Sequence, residues 1–180
     1  MKAAGVILAV VAALALQTTL ARFFVRGAAA VDLVLVVVVY VALTSGPATG
    51  LLTGTFAGLV QDALLPNAVM GIGGLPNGVI GIGGLAKTMV GFLAGVIGTQ
   101  FIVSQPLPRF VVFFAASVMH GVVFMGLYTL LDLRHFGAPY AEVGVQSAAN
   151  AVVGVVAFQM VELLPGAVER RRAAKSRLRR

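Results

Sequence analysis

Glycine recurs at every fourth position in one stretch of this chain, at Gly46, Gly50, Gly54 and Gly58, and Asp62 continues the spacing. Residues four apart lie on one face of an α-helix, so this face would be bare and would end in a carboxylate. In water, each glycine inside a helix costs about 1 kcal/mol relative to alanine. In lipid, small residues let helix backbones approach closely, and packing then drives association. The pattern predicts a membrane helix with a close neighbour, and it leaves a ligand groove open as an alternative.

The composition supports a membrane location. The chain is 59% hydrophobic and 11% charged, with a mean hydropathy of +1.02, whereas a soluble domain is about 25% charged. With 180 residues it has room for one helical bundle but not for a bundle and a soluble enzyme domain. The absence of cysteine excludes disulfides and thiolate chemistry.

Apolar segments predict an all-α integral membrane protein, a six-transmembrane-helix bundle over residues 1–168 with a basic tail at 169–180. The predicted spans are about 3–20, 32–45, 47–65, 86–103, 109–131 and 139–164. Because Ala13-Leu14-Ala15 resembles a signal-peptidase site, a five-span chain, with the first segment cleaved or interfacial, remains an alternative.

A second small-residue face follows the first, since Lys87, Gly91, Gly95 and Thr99 are again four apart. Its natural partner is the glycine face of the third span. Between them, PNAVMGIGGL at 66–75 is followed at once by PNGVIGIGGL at 76–85. Glycine at this density suits neither a lipid-facing helix nor a strand, so this tandem repeat is expected to be a loop.

The basic residues indicate orientation. Seven of the thirteen lysines and arginines lie between Arg170 and Arg180, and basic clusters mark the cytoplasmic side, so the C-terminus is expected in the cytoplasm. The tail is expected to contact anionic lipid and not nucleic acid. The residues expected at the lipid surface are Arg170, Arg171, Arg172, Lys175 and Arg177.

Five polar residues are candidates for a functional site: Asp32, Asp62, Lys87, His120 and Asn150. Ionisable groups inside a membrane are costly and often mark function. Asp32 is placed to cap the second helix, where the dipole favours an anion, although a partner-binding or relay role is also open. An Asp62–Lys87 pair is expected at the mouth of the glycine faces. His120 is expected to be a hydrogen-bonded packing residue, with a proton relay as the alternative.

No pattern indicates an enzyme, a metal or a cofactor. GIGGLAKT at 81–88 approaches two nucleotide-binding motifs, but both require a preceding strand of an α/β unit. Neither of the two histidines has a carboxylate four residues away, which disfavours zinc. A membrane-embedded enzyme is therefore the least favoured hypothesis.

The order of several features resembles the rod shape-determining MreD family. The resemblance begins with Leu16-Gln17-Thr18-Thr19-Leu20 and with Asp32-Leu33. It continues with the stretch from Gly46 to Asp62, in which glycine recurs every fourth residue before the aspartate. The last part is Gly84-Leu85-Ala86-Lys87-Thr88, which runs into Gly91 and Gly95. The resemblance covers nearly the whole chain. Val31 precedes Asp32 where the family usually has proline, and the tandem repeat lengthens the connection before the fourth span.

The resemblance implies a non-enzymatic inner-membrane component of the cell-elongation machinery, with a fold like the S components of vitamin transporters. Such proteins are thought to bind MreC and to work with MreB, RodA and a class B penicillin-binding transpeptidase in sidewall peptidoglycan synthesis. The glycine groove and the polar face of Gln146 and Asn150 motivate an alternative, the substrate-binding membrane subunit of a small-molecule transporter.

Overall fold

The computed structural model describes residues 3–23, 31–64, 79–101, 105–133, 135–137 and 140–163. For residues 20–23 it describes the backbone only. Within these ranges the chain forms six α-helices and no strand. Their bounds are α1 Ala3–Phe23, α2 Leu33–Ser45, α3 Pro47–Leu64, α4 Ile82–Gln100, α5 Pro106–Leu130 and α6 Tyr140–Leu163. The prediction of an all-helical chain is confirmed for this described part.

Three of these helices, α4, α5 and α6, are long and apolar enough to cross a membrane. Two shorter apolar helical segments, Ala3–Thr19 and Leu33–Ser45, accompany them. Length and composition therefore indicate a helical membrane protein.

The α3–α4 interface is the most extensive in the bundle, and backbone meets backbone at its glycines. A Cβ on Gly50 would meet the carbonyl of Gly91, and one on Gly54 would meet the carbonyl of Lys87. One on Gly58 would meet the Cα of Gly84. Because residue numbers rise along α3 as they fall along α4, the two helices are antiparallel. The two small-residue faces thus lie against each other, with no room for a Cβ at these three glycines.

The other end of this interface lies at the α2–α3 turn. A Cβ on Gly95 would meet the Cα of Pro47, the first residue of α3. Gly46 makes the turn with φ 90°, a conformation that favours glycine, and its N–H donates to the carbonyl of Ala42 over 2.9 Å. A single residue therefore joins two antiparallel helices and brings the start of α3 against α4.

Two helices begin earlier than their sequence patterns predict. Helix α5 starts at Pro106, and not near residue 109, because prolines fit the first turn of a helix, where no N–H partner is needed. Helix α4 starts at Ile82, so residues 82–85 of the second repeat are helical and the expectation of a loop is wrong there. The rest of the repeat up to residue 78 lies outside the described residues.

The remaining helices pack around the α3–α4 pair. Helix α1 lies against α2 and α3 through an apolar cluster that includes Val10, Val38 and Ala57. Helices α5 and α6 form an antiparallel hairpin in which a Cβ on Gly154 would touch the ring of Phe113. A second apolar cluster, which includes Val90, joins this hairpin to α2 and α4.

Candidate functional site

Lys87 is the centre of a buried polar network inside the bundle. Its side chain is 3% exposed, although it sits in an apolar helix. The Nζ atom lies 2.8 Å from Oδ2 of Asp32 and 3.1 Å from Nε2 of His120. One ammonium therefore joins α4 to the start of α2 and to the middle of α5.

Asp32 has a second role at the start of α2. Its Oδ1 accepts the backbone N–H of Leu35 over 3.0 Å, which is a helix N-cap bond. The carboxylate thus offers one oxygen to the helix end and the other to Lys87. The cap predicted from the sequence is present, and an ion pair with a distant helix is added to it.

Asn150 extends the network to α6. Its Oδ1 accepts the backbone N–H of Asp32 over 2.8 Å, and its Nδ2 donates to Oγ of Ser117 over 2.8 Å. Asn150 and Ser117 are both buried. Four helices, α2, α4, α5 and α6, therefore meet at one connected set of polar side chains.

The electrostatics of the network are balanced. Asp32 and Lys87 carry opposite charges, and removing them from water is repaid only if the pair is well aligned and hydrogen-bonded. An ammonium has donors only, so His120 accepts from Lys87 at Nε2 and its ring proton is assigned to Nδ1. The Asp32–Lys87 ion pair thus links α2 to α4, and the described residues include no group of three potential metal ligands.

Asp62 belongs to a different site, and the predicted Asp62–Lys87 pair is wrong. Its Oδ2 accepts the backbone N–H groups of Gly81 over 2.9 Å and Gly84 over 3.1 Å. The carboxylate at the end of α3 therefore caps α4, where the helix dipole also favours an anion. Gly81 stands at the start of α4 with φ 110°, in the left-handed region.

The Lys87 network and the Asp62 cap are distinct sites because of the direction in which the Lys87 side chain leaves α4. The Lys87 carbonyl faces Gly54 of α3, while its side chain reaches α2 and α5 on the other side of α4. The sequence places Lys87 in the glycine-face register, but it does not tell on which side of the neighbouring helix the long side chain emerges.

A second ion pair, which is partly buried, was not predicted from the sequence. Arg109, 3% exposed, donates from Nη2 to Oε1 of Glu162, which is 29% exposed, over 2.8 Å. The guanidinium of Arg109 also lies 4.1 Å from the ring centre of Phe158, a cation–π contact. Arg109 lies in the first turn of α5 and Glu162 in the last turn of α6, so the antiparallel arrangement of the two helices places them at one level. That arrangement was the signal that could have predicted the pair.

The proposed ligand groove is filled. Gly50, Gly54 and Gly58 face the backbone of α4 at distances that would not admit one additional carbon atom. The polar face of α6 is also buried: Asn150 bonds to Asp32 and Ser117, and Gln146 is 6% exposed. The predicted lipid-contacting residues from Arg170 to Arg177 lie outside the described residues.

The fold and the network define a class: a helical membrane protein with interior charges held in ion pairs and glycine faces closed against each other. No protein-family model, curated protein or solved structure matches the chain. We therefore infer the function of this chain from its own residues and from the order of its motifs.

Proposed function

We propose that this protein is a non-enzymatic inner-membrane component of the bacterial cell-elongation complex, of the MreD type. It would bind MreC and help direct sidewall peptidoglycan synthesis and cell shape. One observation carries the proposal: the charged residues and the glycines of the resemblance lie in the interior. Asp32 and Lys87 form the central ion pair, and Gly50, Gly54, Gly58 and Gly91 lie at the close contact of α3 with α4.

The arrangement of the charges supports a binding role. Each ion pair combines one positive and one negative charge, and Glu162 is the one partly exposed member of the two pairs. The outward faces of α3 and α4 carry large apolar side chains such as Phe56 and Phe92. In lipid, such faces associate with other helices through packing. A bundle that uses its charges internally and presents apolar helices outward suits a protein whose partners are membrane proteins.

The wider proposal follows the family resemblance. The chain would cross the bacterial inner membrane six times, with its C-terminus in the cytoplasm and its basic tail on anionic lipid. MreC is the proposed direct partner, while MreB, RodA and a class B penicillin-binding transpeptidase belong to the larger complex. The transporter alternative loses its main support because α4 occupies the glycine groove.

Depletion in the native rod-shaped host tests the proposal. Cells should become round, and MreC should co-purify with an affinity-tagged copy of the chain from mild detergent. The variant Gly54→Leu, which would push α3 away from α4, should fail to restore rods. The matched variant Gly126→Leu should restore them, because a Cβ at Gly126 meets nothing within 4 Å. Rods that persist after full depletion, with no MreC recovered, would refute the assignment.

A further inference from the structure

His120 is a buried histidine whose hydrogen bond depends on the charge of its ring. The residue lies in α5 and is 2% exposed, and its Nε2 atom is 3.1 Å from Nζ of Lys87. Because an ammonium has donors only, Nε2 accepts this bond with its lone pair, and the ring proton is assigned to Nδ1. A proton added to Nε2 would occupy that lone pair. The contact between α4 and α5 would then change from a hydrogen bond into a repulsion between two cations.

The charges around His120 are already balanced. Lys87 of α4 supplies one positive charge, Asp32 at the start of α2 supplies one negative charge, and the two lie 2.8 Å apart. Helix α6 adds the neutral amide of Asn150 to the network. The other titratable side chains of α2, α5 and α6 lie two or more turns along their helix from the network: Tyr40, Arg109, Tyr128, Tyr140, Glu142 and Glu162. A protonated His120 would therefore leave two buried cations facing one carboxylate, and an unpaired buried charge is costly.

We infer that the Lys87–His120 contact is an acid-sensitive joint between α4 and α5, because the folded protein excludes a proton from His120 and unfolding takes one up. In the unfolded chain the ring is free of Lys87 and binds a proton from the solvent near the ordinary pKa of histidine, about 6.5. Proton uptake on unfolding lowers the stability as the pH falls. From about pH 7.5 to about pH 5.5, the equilibrium constant for unfolding should rise about tenfold. This inference concerns the fold, and it does not depend on the proposed function.

The experiment measures equilibrium unfolding of the full chain at these two pH values, in bicelles of phosphatidylcholine, whose headgroup does not titrate in this range. The chain has two histidines, so His120→Gln and His135→Gln form a matched pair. Glutamine keeps a hydrogen-bond acceptor but takes up no proton. The tenfold rise should be present in the parent and absent in His120→Gln. His135→Gln should retain it, because the side chain of His135 is 72% exposed in the folded protein.

A second measurement observes the ring of His120 directly and does not require His120→Gln to fold. In His135→Gln, His120 is the sole histidine, so nitrogen NMR of isotope-labelled histidine reports on this ring alone. A neutral imidazole gives two widely separated ring-nitrogen signals, because only one nitrogen carries a proton, whereas an imidazolium gives two similar ones. The folded protein should show the neutral pattern at both pH values.

Three results would overturn the inference. One is an imidazolium pattern for His120 in the folded protein at the lower pH. The second is an unfolding constant of the parent that is equal at the two pH values. The third is a rise with acidity that is as large in His120→Gln as in the parent.

Discussion

Two interfaces of this bundle are built in opposite ways. Between α3 and α4, backbone meets backbone at Gly50, Gly54 and Gly58, and no Cβ fits at these positions. Between helices α1 to α4 and the α5–α6 hairpin, side chains fill the space, and the polar ones include His120, Asn150 and Tyr128. The first interface depends on missing side chains, whereas the second depends on side chains that are present.

The difference shows two ways in which a membrane bundle can join its helices. Close backbone packing gives contact area without hydrophobic driving force. Buried charges give specificity, because a misaligned arrangement would leave a charge unpaired in a medium of low dielectric constant. Here the Asp32–Lys87 pair joins α2 to α4, and the Arg109–Glu162 pair joins α5 to α6.

The largest effect is expected from removing the ammonium at the centre of the network. Lys87→Met leaves the Asp32 carboxylate buried without its counter-charge, which should lower the free energy of unfolding by about 3–5 kcal/mol. Equilibrium unfolding in lipid bicelles measures this loss in the free energy of unfolding. Gln100→Met, at an exposed position of the same helix, is the control and should be nearly neutral. Equal stabilities of the two variants would show that the pair contributes nothing.

A single methyl group at the glycine interface should have the next largest effect. Gly54→Ala places a carbon on the carbonyl of Lys87, and the helices must separate, at a cost of about 2–3 kcal/mol. Gly126→Ala meets no atom and should stabilise the protein by up to about 1 kcal/mol, since alanine is the better helix former. The same unfolding measurement would contradict the account if both variants were stabilised.

Removing the cap on α4 should have a moderate effect. Asp62→Ala leaves the N–H groups of Gly81 and Gly84 without their acceptor, with an expected loss of about 1–2 kcal/mol. Asp62→Asn keeps one acceptor oxygen and should lose less. Amide hydrogen exchange at the first turn of α4 should rise in Asp62→Ala and remain near that of the parent in the exposed control Asp132→Ala. No change at that turn would remove the capping role.

The smallest effect is expected from deleting one copy of the tandem repeat. Deletion of residues 66–75 keeps the copy that supplies Gly81 and Gly84, and it leaves residue 65 and residues 76–81, seven residues, between α3 and α4. Helix connections in bundles are commonly about 2–8 residues. Stability should change by less than about 0.5 kcal/mol, the size of change expected when no specific stabilising contact is lost. A loss comparable with that of Asp62→Ala would assign the first copy a structural role.

Much of the fold could be predicted from local pattern. Apolar length and proline positions located six helices, and the four-residue glycine spacing indicated which faces could pack closely. The start of α4 could not be predicted, because Gly81 to Leu85 has the composition of a loop. Residues 82–85 are nevertheless helical, because the Asp62 carboxylate, distant in sequence, accepts the N–H groups of Gly81 and Gly84 at this helix end.

The site was predictable in its members but not in its connections. Asp32, Lys87, His120 and Asn150 were all candidates, and they do come together. Their pairing depends on which side of α4 the Lys87 side chain leaves, and this follows from the packing of four helices. Local spacing placed Lys87 beside Asp62, which is why that pair was predicted wrongly.

A double-mutant cycle on Asp32 and Lys87 tests the central claim most directly, because Asp32→Asn can keep the cap bond to Leu35 while it removes the charge. If the two residues form an ion pair inside the membrane, Asp32→Asn combined with Lys87→Met will be more stable in bicelles than Lys87→Met alone, by about 2 kcal/mol or more. If the two losses simply add, the residues are not coupled, and the network at the centre of this account does not exist.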